Sequence, residues 1–115
     1  MPEEALDPED AKLVTLARAT RARTSAASAA AVRDTTGRTY AAAAVSLPSL
    51  QLSALQAAVV VAVASGASGL EAAAVLADHP SVDEISLSAV RELAGTGIPV
   101  VLADAQGEVQ ETVRT

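Results

Sequence analysis

Ser49–Gly66, SLQLSALQAAVVVAVASG, decides how the rest of this 115-residue chain is read. From Leu50 to Ala64 it has no charge, no Gly and no Pro, and only Gln51, Ser53 and Gln56 are polar. Leu, Ala and Gln favour a helix, whereas Val59, Val60, Val61 and Val63 each favour a strand. Length settles it, because an apolar run of this extent outlasts an ordinary strand. The stretch therefore predicts a helix, with Ser49 as N-cap behind Pro48 and Gly66 as the left-handed residue beyond its end. Apolar on nearly every face, that helix is expected to be buried all round. It is short of the roughly 20 apolar residues a membrane span needs.

Composition sets the energetic problem. Half of the residues are apolar, yet 28 are alanine and Tyr40 is the only aromatic. Each buried alanine removes little area from water, so it stabilises weakly. Close helix–sheet packing or subunit contacts must compensate, and a homo-oligomer (dimer or tetramer) is expected. Seven Arg against one Lys fits a GC-rich bacterial genome. The net charge is −6 and no basic run occurs. Nucleic-acid binding lacks both the cations and the aromatic platforms it uses. Without cysteine neither a disulfide nor a thiolate metal site can form. The opening MPEEALDPED is acidic and has no apolar signal core, which predicts a flexible stretch over residues 1–10, a cytoplasmic location and no membrane partner.

Working outward, residues 11–115 are expected to form one domain. Ala11–Arg23 places Leu13, Leu16 and Ala17 at helical spacing, with Asp7 or Asp10 as cap and Arg18, Arg21 and Arg23 late, as a helix dipole prefers. Ser28–Arg33 and Arg38–Val45 flank Asp34-Thr35-Thr36-Gly37, which predicts a β-hairpin. A helix through both alanine-rich pieces would have to run through Gly37. Beyond the central helix, Leu70–Ala77 suits a buried strand and Asp78–Glu84 a polar loop with the only histidine, His79. Ser86 or Ser88 opens a second short helix, Leu87–Ala94. Ile98–Ala103 is a β-branched strand between breakers, and Glu108–Val113 suits an edge strand. The order α-β-β-α-β-α-β-(β) predicts an α/β fold with a mixed sheet of about five strands covered by helices, a three-layer α/β/α sandwich.

In this order of elements the chain resembles the small zinc-dependent cytidine deaminases over roughly Leu13–Val113. The hairpin VRDTTGRTYAAAAV matches that family's D-G-type turn, and SALQAAVVVAVASGA (Ser53–Ala67) matches its helix from C-A-E-R to A-x-x-x-G. Pro99–Asp104 followed by Gly107-Glu108-Val109 matches its PVVLxDxxGEV strand almost letter for letter. The resemblance implies a zinc-activated hydroxide attacking C4 of a pyrimidine, with a glutamate moving protons. It also implies where ligands belong. Ser53 stands at the first ligand position and Leu55 at the glutamate's, while Leu87 and Val90 replace the two cysteines of P-C-x-x-C-R and Arg91 alone keeps its match. The ribose-gripping N-x-E-N stretch has no counterpart in AVSLPSLQL.

Other residues offer no replacement site. His79 with Asp78, Asp83 and Glu84 reads as a solvated loop without metal-ligand spacing. Ser53 has no general base in reach by sequence and reads as a cap. Arg91 beside Glu92 reads as a surface pair, and Gly66-x-x-Gly69 as a turn, not a phosphate loop. Neither a metal nor another cofactor is expected. Three functions stay open: a silent deaminase-like interaction or scaffolding subunit, a binder of nucleosides or other small ligands, and a cytidine deaminase with ligands elsewhere.

Overall fold

Alternation along the central strands builds the layers. Ala30 and Val32, Ala73 and Val75, and Val100 and Leu102 face one apolar cluster, while Ala31, Ala72, Ala74, Leu76, Val101 and Ala103 face another. A sheet with two buried faces needs helices on both. The computed structural model describes residues 6–115 and supplies them. The elements are α1 (Pro8–Thr24), β1 (Ser28–Asp34), β2 (Thr39–Ala43), β3 (Val45–Leu47), β4 (Leu50–Leu52), α2 (Ala54–Ala64), β5 (Leu70–Ala77), α3 (Glu84–Ala94), β6 (Pro99–Ala103) and β7 (Val109–Arg114). The main sheet runs β2-β1-β5-β6-β7. Only β5 and β6 are parallel, joined through α3, and the other pairs are antiparallel. Helix α1 covers one face, and α2 and α3 cover the other. The expected three-layer mixed α/β architecture is present.

Several boundaries differ from the sequence reading. Asp7 caps α1 by accepting the Glu9 N–H at 2.8 Å, so Pro8, Glu9 and Asp10 are helical rather than part of a loose terminus. Of the stretch expected to be flexible, Met1–Ala5 lie outside the described residues. An unforeseen hairpin, β3–β4, pairs Val45 with Leu52 and Leu47 with Leu50 across Pro48-Ser49. It takes Leu50–Leu52 out of the predicted helix, which begins at Ala54 with Ser53, not Ser49, as its cap. The far end follows expectation. Gly66 adopts φ +95°. Its N–H bonds the Val63 carbonyl at 3.0 Å and that of Ala67 the Ala62 carbonyl at 2.9 Å, a Schellman closure.

Helix α2 is not buried all round. Ala54, Leu55, Ala57, Ala58, Val59 and Ala62 turn inward, but Val60, Val61 and Val63 are exposed. Lining a sheet, a helix can hide only one side.

The β1–β2 turn is locked by Asp34, which is 3 % exposed. Its Oδ1 accepts the Thr36 N–H, the Thr36 hydroxyl and the Arg38 N–H, and its Oδ2 accepts the Tyr40 hydroxyl at 2.8 Å. The Thr36 hydroxyl, against the opposing effect of burial and with help from Tyr40, holds the carboxyl at about 2, below the ordinary 3.8. A folded-state pKa below the unfolded one gives stability that is present above about pH 4 and lost as pH falls through about 2. Urea midpoints measured from pH 6 to pH 2 are expected to fall in that window. Asp34→Asn should lower the midpoint at neutral pH and flatten this acid limb. An unchanged limb would show that Asp34 contributes nothing to it.

Candidate functional site

The first turns of α2 and α3 meet at one end of the sheet. Ser53 Oγ accepts the Gln56 N–H at 3.1 Å and Gln56 Oε1 accepts the Ser53 N–H at 2.9 Å, a complete capping box. Asp83 caps α3, accepting the Ser86 N–H at 2.9 Å. Its carboxyl is held below the usual range by the Ser86 hydroxyl first and the Ser86 N–H second. The two caps are linked, because Ser53 Oγ and the buried Ser86 Oγ lie 2.7 Å apart. Helix α3 thus begins at Glu84 with Asp83 as cap, rather than at Ser86 or Ser88.

Between these turns opens a pocket of about 310 Å³. Leu55 and Val75 form apolar wall, and Ser53, His79, Asp83 and Ser86 supply polar groups. Of the residues singled out from the sequence, Ser53 and Leu55 line this pocket, whereas Leu87, Val90 and Arg91 do not. Leu55 is 1 % exposed and Val90 fully buried, both in the apolar cluster with Ala58 and Val100, and Leu87 packs against that cluster. Arg91 points elsewhere. Its guanidinium donates to Glu84 Oε1 at 2.9 Å, so its partner is Glu84 and not the expected Glu92. His79 is exposed at the pocket wall.

This donor set does not fit a zinc ion. Zinc takes sulfur, imidazole nitrogen or carboxylate oxygen in a tetrahedral shell. Leu55, Leu87 and Val90 present only carbon, and the Ser53 and Ser86 hydroxyls are neutral and engaged with the caps. Among the described residues no three of His, Cys, Asp and Glu gather as a metal would require.

A family model described as "Cytidine deaminase-like" matches residues 6–107. The chain belongs to the cytidine deaminase-like family. Solved structures that share its architecture include two cytidine deaminases. The 1.6 Å crystal structure of cytidine deaminase from Burkholderia pseudomallei is 24 % identical with a TM-score of 0.78, covering 89 % of each chain. The crystal structure of cytidine deaminase from Mycobacterium leprae is 20 % identical with a TM-score of 0.68, covering 86 % of this chain and 89 % of that one. At these identities the likeness speaks for the fold. The comparison with curated protein sequences finds no match. Among the described residues no helix is long and apolar enough to cross a membrane.

This family member carries two site residues that the sequence reading left unassigned to the pocket, Asp83 as a cap and Ser86 as a link. The signal for the first was present, since Asp three residues before Ser at a helix start is a capping pattern. The Ser53–Ser86 contact spans 33 positions and has no local signature. Ser53→Ala is expected to lose about 1 kcal/mol of stability in urea unfolding, because the Gln56 N–H loses its acceptor and Ser86 its partner. Ser53→Thr should recover most of it. A neutral Ser53→Ala would mean the capping box contributes nothing.

Proposed function

We propose that this cytidine deaminase-like protein is catalytically silent and acts in the cytoplasm as an oligomeric interaction or scaffolding subunit. One observation carries the reading. Where the family resemblance places three metal ligands and a proton shuttle, this chain has Ser53, Leu55, Leu87 and Val90, and Leu55 and Val90 belong to its apolar interior. A carbon side chain has no lone pair for a metal and no proton to move. Packing Leu55 and Val90 there also avoids the cost of burying an ion or a carboxylate. The test is elemental analysis of the purified protein beside an assay for loss of cytidine absorbance. Zinc well below one equivalent and stable cytidine are expected. Stoichiometric zinc, or turnover, overturns the reading in favour of an active deaminase.

A second reading, binding of a nucleoside or another small ligand, draws on the pocket of about 310 Å³ with its Ser53, Asp83, Ser86 and His79 groups. Against it stands the scarcity of aromatic wall. A thermal-shift titration with nucleosides separates the two. Binding to the folded state alone raises the melting temperature and saturates, and a flat response removes this reading.

A further inference from the structure

The two faces of the sheet are covered unequally. Among the buried apolar residues on the α1 face, only Leu13, Val14, Leu76 and Val101 are larger than alanine, and the α2–α3 face has twice as many. Alanine removes little area from water, so α1 is held by the weaker apolar contact. Its hydrogen bonds are internal to the helix, and it can leave without breaking a sheet ladder. At its end Ser25 takes a left-handed φ of +55°, and residues 25–27 join it to β1. Near that joint Arg21 reaches the Ala27 carbonyl and Asp78, both at 3.1 Å and both exposed contacts of small worth.

The polar groups of this layer are poorly matched. Thr20 lies on the buried stripe of α1 with Leu13 and Ala17 and is 1 % exposed. Arg33 projects from β1, donating from Nη2 to Asp10 Oδ1 of α1 at 2.9 Å and from Nε to Glu71. Among the described residues, the buried side-chain nitrogen and oxygen atoms without a hydrogen-bond partner are Thr20 Oγ1 and Arg33 Nη1. Both belong to the α1 layer. A buried polar atom left unpaired costs free energy that a paired one does not. The ion pair offsets little of this, because the Arg33 and Asp10 side chains are 12 % and 14 % exposed and desolvation cancels much of their attraction. Water reaches Thr20, Arg33 and Asp10 once α1 lifts. Lifting α2 would expose Leu55 and Ala58 and relieve no unpartnered atom.

We infer that α1 is a separable strap, which lifts from the sheet as a unit about Ser25 while the sheet and the α2–α3 layer stay folded. Parts of a protein with thin apolar contact open at a lower free energy than the whole. The open form uncovers Ala31, Ala72, Ala74 and Leu76 and hydrates Arg33. It does not depend on the silent-subunit reading, since Asp10, Thr20 and Arg33 lie outside the pocket between α2 and α3.

Native-state amide hydrogen exchange on the full chain, in urea well below the unfolding transition, tests this without any variant. The Leu13, Val14 and Ala17 amides should exchange as one group, with protection about tenfold or more below that of β5 and a weaker dependence on urea. Two variants add a sharper reading. Val90→Ala loosens only the opposite layer, so it should lower β5 protection several-fold and leave α1 protection unchanged. Thr20→Val keeps the shape and removes the unpartnered hydroxyl, so α1 and β5 protection should rise together, by about threefold or more. If α1 and β5 exchange together in wild type, or α1 protection falls with β5 in Val90→Ala, α1 opens only by global unfolding and the inference is overturned. Amides of α1 that exchange one by one from a helix end overturn it as well, for the helix then frays and does not lift. A Thr20→Val that gains no protection removes the polar defect on which the strap rests.

Discussion

Leu55→Ala is expected to cost about 2–5 kcal/mol in urea unfolding followed by circular dichroism. Leu13, Leu55 and Leu76 are the largest fully buried side chains among the described residues, in an interior otherwise dominated by Ala and Val. Small neighbours cannot swing in to fill the void, so the loss should fall toward the upper part of that range. A domain of this size has only about 5–15 kcal/mol in total. Leu55→Glu sharpens the test, since it restores the residue type the family resemblance places there. A carboxylate at a position 1 % exposed is desolvated, which raises its folded-state pKa above the unfolded one. The variant's deficit relative to wild type should then be smallest below about pH 4 and grow as pH rises. A loss below about 1 kcal/mol at neutral pH would show that the carboxylate reaches the water of the pocket. Position 55 would then be a site position and not a packing one.

Ala58→Leu should also destabilise, by about 1–3 kcal/mol in the same assay. Area arithmetic alone predicts the opposite, because the larger side chain would bury more apolar surface. Ala58 is fully buried in the cluster that holds Ala30, Ala73 and Val75 of the sheet. Alanine on both sides of this contact lets α2 lie close to β1 and β5, and three further carbon atoms would have to lift it away. Ala64→Leu, at an exposed position on the same helix, is the control and should change stability by less than about 0.5 kcal/mol. A stabilised Ala58→Leu would mean that the interior is loosely filled.

Legibility of the fold followed the range of the interactions involved. β5 is read from Leu70 to Ala77 without error, because a fully buried strand is a continuous apolar run ended by Gly69 and Asp78. The Gly66 helix end is local as well. The start of α2 went wrong, since Leu50, Gln51 and Leu52 favour a helix by themselves and become a strand only through pairing with Val45, Ser46 and Leu47. The capping box Ser53-x-x-Gln56 is a local signature within four residues, and it marks the true start of the helix. At the site, the chemistry of each side chain was readable and the pocket was not. Nothing local tells that Ser53 meets Ser86, that Val90 turns into the core, or that Arg91 takes Glu84.

The helix within Ser49–Gly66 shows the same division. Sequence by itself determined that the stretch is uncharged, that it stops at Gly66, and that Leu55 carries no proton and binds no metal, for these follow from residue chemistry and backbone sterics. Tertiary structure decided which side of it meets the sheet and which valines are left facing outward. Burial belongs to pairs of surfaces, and a helix apolar on every face does not name the one its neighbours will cover.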